Sequence, residues 1–376
     1  MLTIEQRYII SAIRSSIVKS EDNHFELTDE QIHTISNIIV RNGLMLTVFK
    51  NLDSALQNQL QNSFLMAKKQ AVIQSHEGEV ILRLLSNSGF DCIALKGWEL
   101  RKLYPDTSMR QMADLDILVR PFDFEKIYSL LSGLGYSGDS VPSWKHCSFI
   151  KDTVNIEVHK RLTDDSDGIQ AWENSIWDRA RVIDGKTYKM SPEDFYIFHF
   201  IHLHKDFLNG SLGLRRIVDT WLLSKQPVDL DFVKSKLTEF NMLDFHEKMI
   251  RLSRVTMGEE ELDADSEFML KYAFTHGIYG NGKSYKVGRI AAMGDNMKSG
   301  KTKSLFASIF LPYPRMKAQF PVLVKHPYLL PICWIKRIIQ LSKKRKKFKG
   351  RLSYNDVSQE DFDEMKQLFR AGGVST

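Results

Sequence analysis

The segment RQMADLDILVRP, residues 110–121, places two aspartates one residue apart in an otherwise apolar run. Because side chains alternate faces along a β-strand, Asp114 and Asp116 would point the same way, roughly 6–7 Å apart, while Leu115 and Ile117 enter the core. Two carboxylates on one face repel each other unless a cation lies between them. Mg²⁺ (or Mn²⁺) takes carboxylate oxygens and is often shared with phosphate groups. The pair therefore predicts a metal site, and the alternative is a solvated surface pair.

A third carboxylate follows in NIEVHK, residues 155–160. The preceding residues predict two strands around a turn at Lys151-Asp152, and Glu157 lies on the second of them, with Ile156 and Val158 as apolar neighbours. If this strand is adjacent to that of the aspartates, Glu157 completes a three-acid cluster. Three such acids could hold two metals about 3.5–4 Å apart, which would activate an attacking oxygen and neutralise a leaving phosphate. We therefore predict that Asp114, Asp116 and Glu157 are both the catalytic residues and the metal ligands.

A phosphate-binding turn is predicted at ALKG, residues 94–97. Gly97 would let phosphate approach the backbone where a short helix begins, since helix N-termini favour anions. Lys96 could pair with phosphate oxygens, and its alternative role is that of a surface ion-pair partner.

The elements that must position these residues have a clear order along the chain. Residues 1–88 have helical periodicity, with Thr28 and Gln31 spaced as in a capping box. Helix and strand patterns alternate from about 90 to 160, and helical patterns resume after Ser191-Pro192. The glycine-rich residues 277–288 predict a loop. We expect an α+β fold in which a small mixed β-sheet is flanked by N-terminal and C-terminal helical regions.

This pattern predicts four regions: an N-terminal helical region (1–88), a core (89–165), a helical region that completes a cleft (166–275) and a basic C-terminal region (276–376). The composition, 43% apolar and 26% charged residues, is that of a globular protein. The absence of an apolar run of about 18 residues argues against a transmembrane helix. The three cysteines are far apart, which argues against a disulfide framework or a zinc ribbon. We expect a cytoplasmic protein.

Charge is distributed unevenly. Residues 281–376 hold 20 of the 52 Lys and Arg residues but only 6 of the 46 Asp and Glu residues. The densest part, Ile335 to Arg351, has nine basic residues and no acid. Such a run attracts an anionic membrane surface, nucleic acid or an acidic partner, and its alternative is a solvated basic tail.

Taken in order, the motifs resemble a known family. Leu95-Lys96-Gly97, Tyr104-Pro105, Arg110, Asp114 to Val119 and Glu157-Val158-His159 together are similar to the bacterial uncharacterised nucleotidyltransferases, within the DNA polymerase β-like nucleotidyltransferase superfamily. The resemblance covers roughly residues 60–230. The wider superfamily has a second small residue after the glycine and a shorter spacing to the aspartates. Here Trp98 follows Gly97, which makes the metal prediction stronger than the phosphate prediction.

The resemblance implies transfer of a nucleoside monophosphate from an NTP to an acceptor hydroxyl or phosphate, with release of pyrophosphate. Asp114 and Asp116 would hold the metal that bridges the phosphates, and Asp116 and Glu157 the second metal. Lys96 and Arg110 would stabilise charge on the phosphates, and the alternative for Arg110 too is a surface ion pair. Two alternatives stay open: a catalytically inactive nucleotide-binding scaffold, and an adaptor that binds an anionic membrane or RNA through the basic C-terminal region. In the last case the protein would lie at the periphery of a membrane.

Other polar residues have two interpretations each. His159 would orient Glu157 or contact the acceptor, or would be a hydrogen-bonded structural histidine. His199 and His202 share a helix face, which could bind zinc but more simply indicates cleft lining or core packing. Of Arg215 and Arg216, one would face the cleft, or both would form surface salt bridges.

Overall fold

The architecture is described from a computed structural model of the 376-residue chain. The structure describes residues 1–20, 25–139, 143–163, 167–343, 354 and 356–375. The predicted basic run from Ile335 to Arg351 lies outside the described residues from residue 344 onward.

A single seven-stranded mixed sheet lies at the centre of the described residues, in the order β3-β4-β5-β2-β1-β7-β6. Its parallel neighbours are β2 with β5 and β1 with β7, and the other pairs are antiparallel. The strands are β1 (Asp91–Ala94), β2 (Leu115–Arg120), β3 (Ser137–Gly138), β4 (His146–Lys151), β5 (Val154–His159), β6 (Arg181–Asp184) and β7 (Thr187–Lys189).

Helices precede and follow this sheet. Before β2 lie α1 (Ile4–Val18), α2 (Asp29–Arg41), α3 (Met45–Val48), α4 (Ser54–Asn87) and α5 (Gly97–Leu100); between β2 and β7 lie α6 (Phe124–Gly133) and α7 (Asp167–Arg179). After β7 come α8 (Pro192–Leu208), α9 (Leu214–Ser224), α10 (Leu230–Glu239), α11 (Leu243–Met257), α12 (Ala264–His276), α13 (Gly282–Met293), α14 (Met297–Ile309), α15 (Tyr313–Gln319), α16 (Val322–Lys325), α17 (Leu330–Lys343) and α18 (Gln359–Ala371). The fold class is α+β, as predicted.

The two faces of the sheet have different surroundings. Ile117 of β2, Ile156 of β5 and Cys147 of β4 are buried in one apolar cluster with residues of α4 and α6. Leu118 of β2 instead belongs to the large cluster that contains residues of α1, α8, α9 and α18. Since side chains alternate along β2, the acids share the face of Leu118, between the sheet and the later helices.

Local signals in the sequence set several helix ends. Thr28 and Gln31 form the predicted reciprocal capping box, and the Ser191 hydroxyl accepts from the Asp194 N–H at the start of α8. The predicted loop at 277–288 is wrong in its second half. Asn281 accepts from the Ser284 N–H as an N-cap, and α13 begins at Gly282.

The longest helices do not match a membrane span. Within the described part of the chain, no helix is both long enough and apolar enough to cross a bilayer. The division into four regions stays a prediction.

Candidate active site

The three predicted acids converge where the start of β2 lies beside β5. These strands are parallel, and their register places Asp116 directly beside Glu157. Asp114 lies one residue before β2. One carboxylate oxygen from each of the three residues lies within 4.8 Å of the others. The sequence spacing and the strand pairing therefore bring three oxygen donors to one point.

Asp116 is the buried centre of this cluster, with 2% of its surface exposed. Its Oδ1 accepts from Lys96 Nζ at 2.7 Å and faces His159 Nε2 at 2.8 Å. Burial alone would raise the pKa of Asp116, but Lys96 and His159 outweigh burial and hold the pKa well below its ordinary value. Asp116 is thus a carboxylate whose charge is already balanced.

Asp114 has the opposite environment. It makes no hydrogen bond or ion pair with another described residue, and it lies beside the ionised Asp116. Burial, and then the charge of Asp116, raise the pKa of Asp114 to about 6. A carboxylate in this position is stabilised by any cation that binds next to it.

His159 links the other two acids. Its Nε2 lies 2.8 Å from Asp116 Oδ1 and 3.3 Å from Glu157 Oε2, and its Nδ1 lies 3.3 Å from the carbonyl oxygen of Arg161. Because both ring nitrogens face acceptors, this arrangement favours the doubly protonated imidazole. Burial opposes that charge, but the bonds to the two acids raise the pKa of His159 above its ordinary value. His159 thus orients the Glu157 carboxylate.

Lys96 reaches Asp116 through an unusual turn. Its backbone has φ 42°, in the left-handed region that residues with a side chain rarely adopt, and this typically costs about 1–3 kcal/mol. The turn ends β1 and directs the ammonium group to the acids. At Gly97, an added Cβ would lie 2.6 Å from Arg110 Nη1. The position of this arginine is therefore enough to explain the glycine, without a phosphate contact. Contact of Gly97 with phosphate stays a prediction.

Arg110 lies beside the acids but is held by another residue. Its Nε and Nη2 donate to the two oxygens of Asp219 at 2.7 and 2.8 Å, and Tyr104 also donates to Asp219. Arg110 and Asp219 are both buried. Arg110 therefore forms an ion pair, which was one of the two interpretations of the sequence, but the pair is buried and does not lie on the surface. Contact of Arg110 with phosphate stays a prediction.

A cleft of about 200 Å³ opens beside Asp114 and Lys96. Helices α8 and α9 and the segment before α13 form its other walls. It is lined by Lys96, Gly97, Leu100, Arg110, Met112, Ala113, Asp114, Phe195, Phe198, His199, His202, Leu203, Asp206, Arg215, Arg216, Asp219, Ile278 and Tyr279. The cleft combines four cationic side chains with an apolar wall, which is a suitable surface for an anionic ligand with an aromatic or apolar part.

Arg215 and Arg216, at the start of α9, both line this cleft. Arg215 donates to the Gln111 carbonyl at 2.7 Å, and Arg216 forms an ion pair with Asp206. The Nε atoms of Arg215 and Arg216 are buried without a hydrogen-bond partner among the described residues. The sequence predicted that one of these arginines faces the cleft or that both form surface salt bridges. In the structure both line the cleft, and each also has a protein partner.

The histidines of α8 do not form a metal site in the described residues. His199 Nε2 lies 3.0 Å from the Thr220 hydroxyl, and burial lowers the pKa of His199 to about 3. His202 Nδ1 lies 3.0 Å from Asp206. Both side chains line the cleft, as the simpler interpretation of the sequence expected.

Comparison with known proteins identifies the family. The family described as "Uncharacterised nucleotidyltransferase" has a model that matches residues 30–258. The chain belongs to this family. The matched range includes both strands that carry the acids and the arginines of α9. No curated protein and no solved structure matches the chain.

Sequence reasoning missed several cleft residues of this family member. Asp219 was not predicted as the partner of Arg110, because 109 positions separate them. Ile278 and Tyr279 reach the cleft from a segment that was interpreted only as a glycine-rich loop. Phe195 and Phe198 lie on the cleft side of α8, whose nearly uniform apolar character does not mark one face.

Proposed function

We propose that the chain is a metal-dependent nucleotidyltransferase that moves a nucleoside monophosphate from an NTP to an acceptor hydroxyl or phosphate and releases pyrophosphate. The observation that carries the proposal is the convergence of three carboxylate oxygens within 4.8 Å, one of them from Asp114, which lines a cleft with four cationic side chains. Membership of the family supports nucleotidyl transfer in general. The metal, the nucleotide and the acceptor belong to the proposal.

The donor set fits Mg²⁺ or Mn²⁺. All three ligands are carboxylates, which these ions prefer, and Asp114 has no other cationic partner at bonding distance among the described residues. Asp114, Asp116 and Glu157 would hold the ion or ions, which when bound would neutralise phosphate charge and make the acceptor oxygen more acidic.

The protein side chains divide the remaining work. Lys96 keeps Asp116 ionised and presents positive charge at the cleft, and His159 fixes the rotamer of Glu157. Arg215 and Arg216 have donors to spare for phosphate oxygens. Phe195 and Phe198 offer an apolar surface to the base or the acceptor. Glu157 would accept the proton of the acceptor, directly or through water.

Thermal unfolding with each of the four NTPs, with and without Mg²⁺, tests the proposal first. A ligand at 100 times its Kd should stabilise the chain by about 2.7 kcal/mol. Label from the α-phosphate of the stabilising NTP should then pass to a component of a cell extract, and Glu157→Gln should abolish this transfer. Mg²⁺-dependent binding without any transfer would favour the inactive nucleotide-binding scaffold. Absence of binding would contradict both.

A second proposal concerns the C-terminal surface formed by α14 to α17, residues 297–343. We propose that it contacts an anionic membrane. These residues include nine Lys and Arg and no Asp or Glu. The helices α15 to α17 pack on a small core of Met316, Leu323 and Cys333. Large apolar side chains remain exposed on α14, α16 and α17 and on the turn before α17: Phe306, Val322, Val324, Tyr328, Ile332, Ile335 and Ile338.

Positive charge with exposed aliphatic side chains suits a lipid surface better than a nucleic acid, because isoleucines offer RNA neither stacking nor hydrogen bonds. Co-sedimentation should show binding to vesicles with anionic lipid and none to neutral vesicles. Ile335→Gln should weaken it without changing charge, and Val182→Gln, an exposed apolar residue of β6, is the matched control. Salt-sensitive RNA binding that Ile335→Gln leaves unchanged would overturn the membrane proposal in favour of nucleic acid.

A further inference from the structure

Two histidines, His146 and His159, lie beside Glu157. His146 begins β4 and His159 ends β5, and the antiparallel register pairs these two residues directly. Their ring centroids lie 5.0 Å apart. His146 Nε2 is 3.7 Å from Glu157 Oε1, and His159 Nε2 is 3.3 Å from Glu157 Oε2. One donor atom from each of the three residues lies within 4.8 Å of the others.

This donor set differs in chemistry from the three acids. Two imidazoles and one carboxylate are the ligands of many zinc sites and of non-haem iron sites, whereas Mg²⁺ prefers oxygen. Ligand atoms at about 2.0–2.2 Å from one tetrahedral ion lie about 3.3–3.6 Å apart. The distances from the two histidine nitrogens to the Glu157 oxygens, 3.7 and 3.3 Å, are close to this spacing.

The surroundings of each histidine suit a ligand role. His159 Nδ1 faces the carbonyl oxygen of Arg161, so a proton on Nδ1 would leave the Nε2 lone pair directed at the cluster. Neither ring nitrogen of His146 makes a hydrogen bond with another described residue, and its Nδ1 is buried. The side chain of His146 is 28% exposed, which leaves an approach from solvent. A bond to a cation would give this imidazole the polar contact that it lacks.

We propose that His146, Glu157 and His159 bind a divalent first-row transition cation of the Zn²⁺ and Co²⁺ class. On binding, the proton on His159 Nε2 passes to solvent and its hydrogen bond to Asp116 is lost, while Lys96 keeps its bond to Asp116. Glu157 is the one residue common to this site and the three-acid site. Occupancy does not depend on nucleotide, so the proposal stands apart from nucleotidyl transfer.

Titration of the full chain with Co²⁺ in the presence of excess Mg²⁺ tests this site, because nitrogen-ligated Co²⁺ has a visible absorption band. Three variants separate the possibilities: His146→Ala removes a ligand, Asp114→Asn changes only the three-acid site, and His76→Ala removes an exposed histidine of α4. Circular dichroism checks that each variant folds. No NTP is added, so absence of nucleotidyl transfer would not affect the result.

We expect the wild-type chain, Asp114→Asn and His76→Ala to bind Co²⁺ alike, and His146→Ala to bind it more than about tenfold more weakly. Excess Zn²⁺ should remove the band. The proposal is overturned if the wild-type chain gives no band, if His146→Ala binds as well as wild type, or if Asp114→Asn loses the band as fully as His146→Ala. The last result would mean one shared carboxylate site.

Discussion

The Arg110–Asp219 pair and Asp114 of the three-acid site line the same cleft. They differ in whether the buried charge has a counter-ion. At the pair, two opposite charges are buried together with a bidentate hydrogen bond, and Tyr104 donates to the same carboxylate. At the acids, Lys96 and His159 contact Asp116, and His159 also contacts Glu157. Asp114 instead lies beside the negative charge of Asp116, without an ion-pair partner among the described residues. In the Arg110–Asp219 pair the charges balance, and the pair fixes the cleft wall. In the three-acid site one negative charge is unbalanced, which favours a bound cation.

The largest effect is expected from breaking the Arg110–Asp219 pair. Asp219→Ala would leave Arg110 buried without its counter-ion, which typically lowers the free energy of unfolding by about 3–5 kcal/mol. Chemical denaturation measures the change. Asp265→Asn, in an exposed pair with Lys248, is the control and should change stability by less than about 1 kcal/mol. An Asp219→Ala chain as stable as this control would contradict a structural role for the pair.

Asp116→Asn should have the next largest effect on stability. The amide keeps an acceptor for Lys96 but removes the charge that both Lys96 and His159 need, at a cost of about 2 kcal/mol. The same denaturation experiment measures it. If the variant proved more stable than wild type, Asp116 would be a source of repulsion in the cluster and its description as charge-balanced would be wrong.

Asp114→Asn should do the reverse and stabilise the metal-free chain. Because the pKa of Asp114 is about 6 in the folded state against an ordinary 3.8, its ionisation opposes folding at neutral pH. Allowing for partial exposure, we expect a gain of about 1–2 kcal/mol. The gain should be full above pH about 6 and should shrink as pH falls from about 6 to about 4. Denaturation at several pH values, with chelator present, measures it, and a pH-independent loss of stability would contradict the assignment.

The contrast also shows what the sequence could predict. Residue alternation within DLDILV placed Asp114 and Asp116 on one face, and the apolar neighbours of Glu157 placed it on a strand. Both patterns are local, whereas the pairing of β2 with β5 that joins them is not. Apolar spacing and caps such as Thr28 and Ser191 located the helices. These predictions succeeded because strand and helix periodicities act within about ten residues.

Part of what the sequence did not predict depends on distant contacts. The partner of Arg110 is 109 residues away, and Phe207 of α8 packs against Phe369 of α18 with ring centroids 5.8 Å apart. The start of α13 was not predicted, because the glycines on both sides of Asn281 indicated a loop and Asn281 was not recognised as an N-cap. His146 was not singled out at all. Its pairing with His159 follows from the hairpin register, and that register could have indicated the second donor set.

The most direct test of the central claim is the effect of Mg²⁺ on NTP binding by wild type and Asp114→Asn, measured by calorimetric titration at about pH 7.5. Asp114→Asn is the sharpest variant, because it should gain stability while losing a ligand, so weaker binding cannot be attributed to unfolding. We predict that Mg²⁺ strengthens NTP binding by more than about tenfold in wild type and hardly at all in Asp114→Asn. An equally large Mg²⁺ effect in both proteins would show that these acids do not hold the ion.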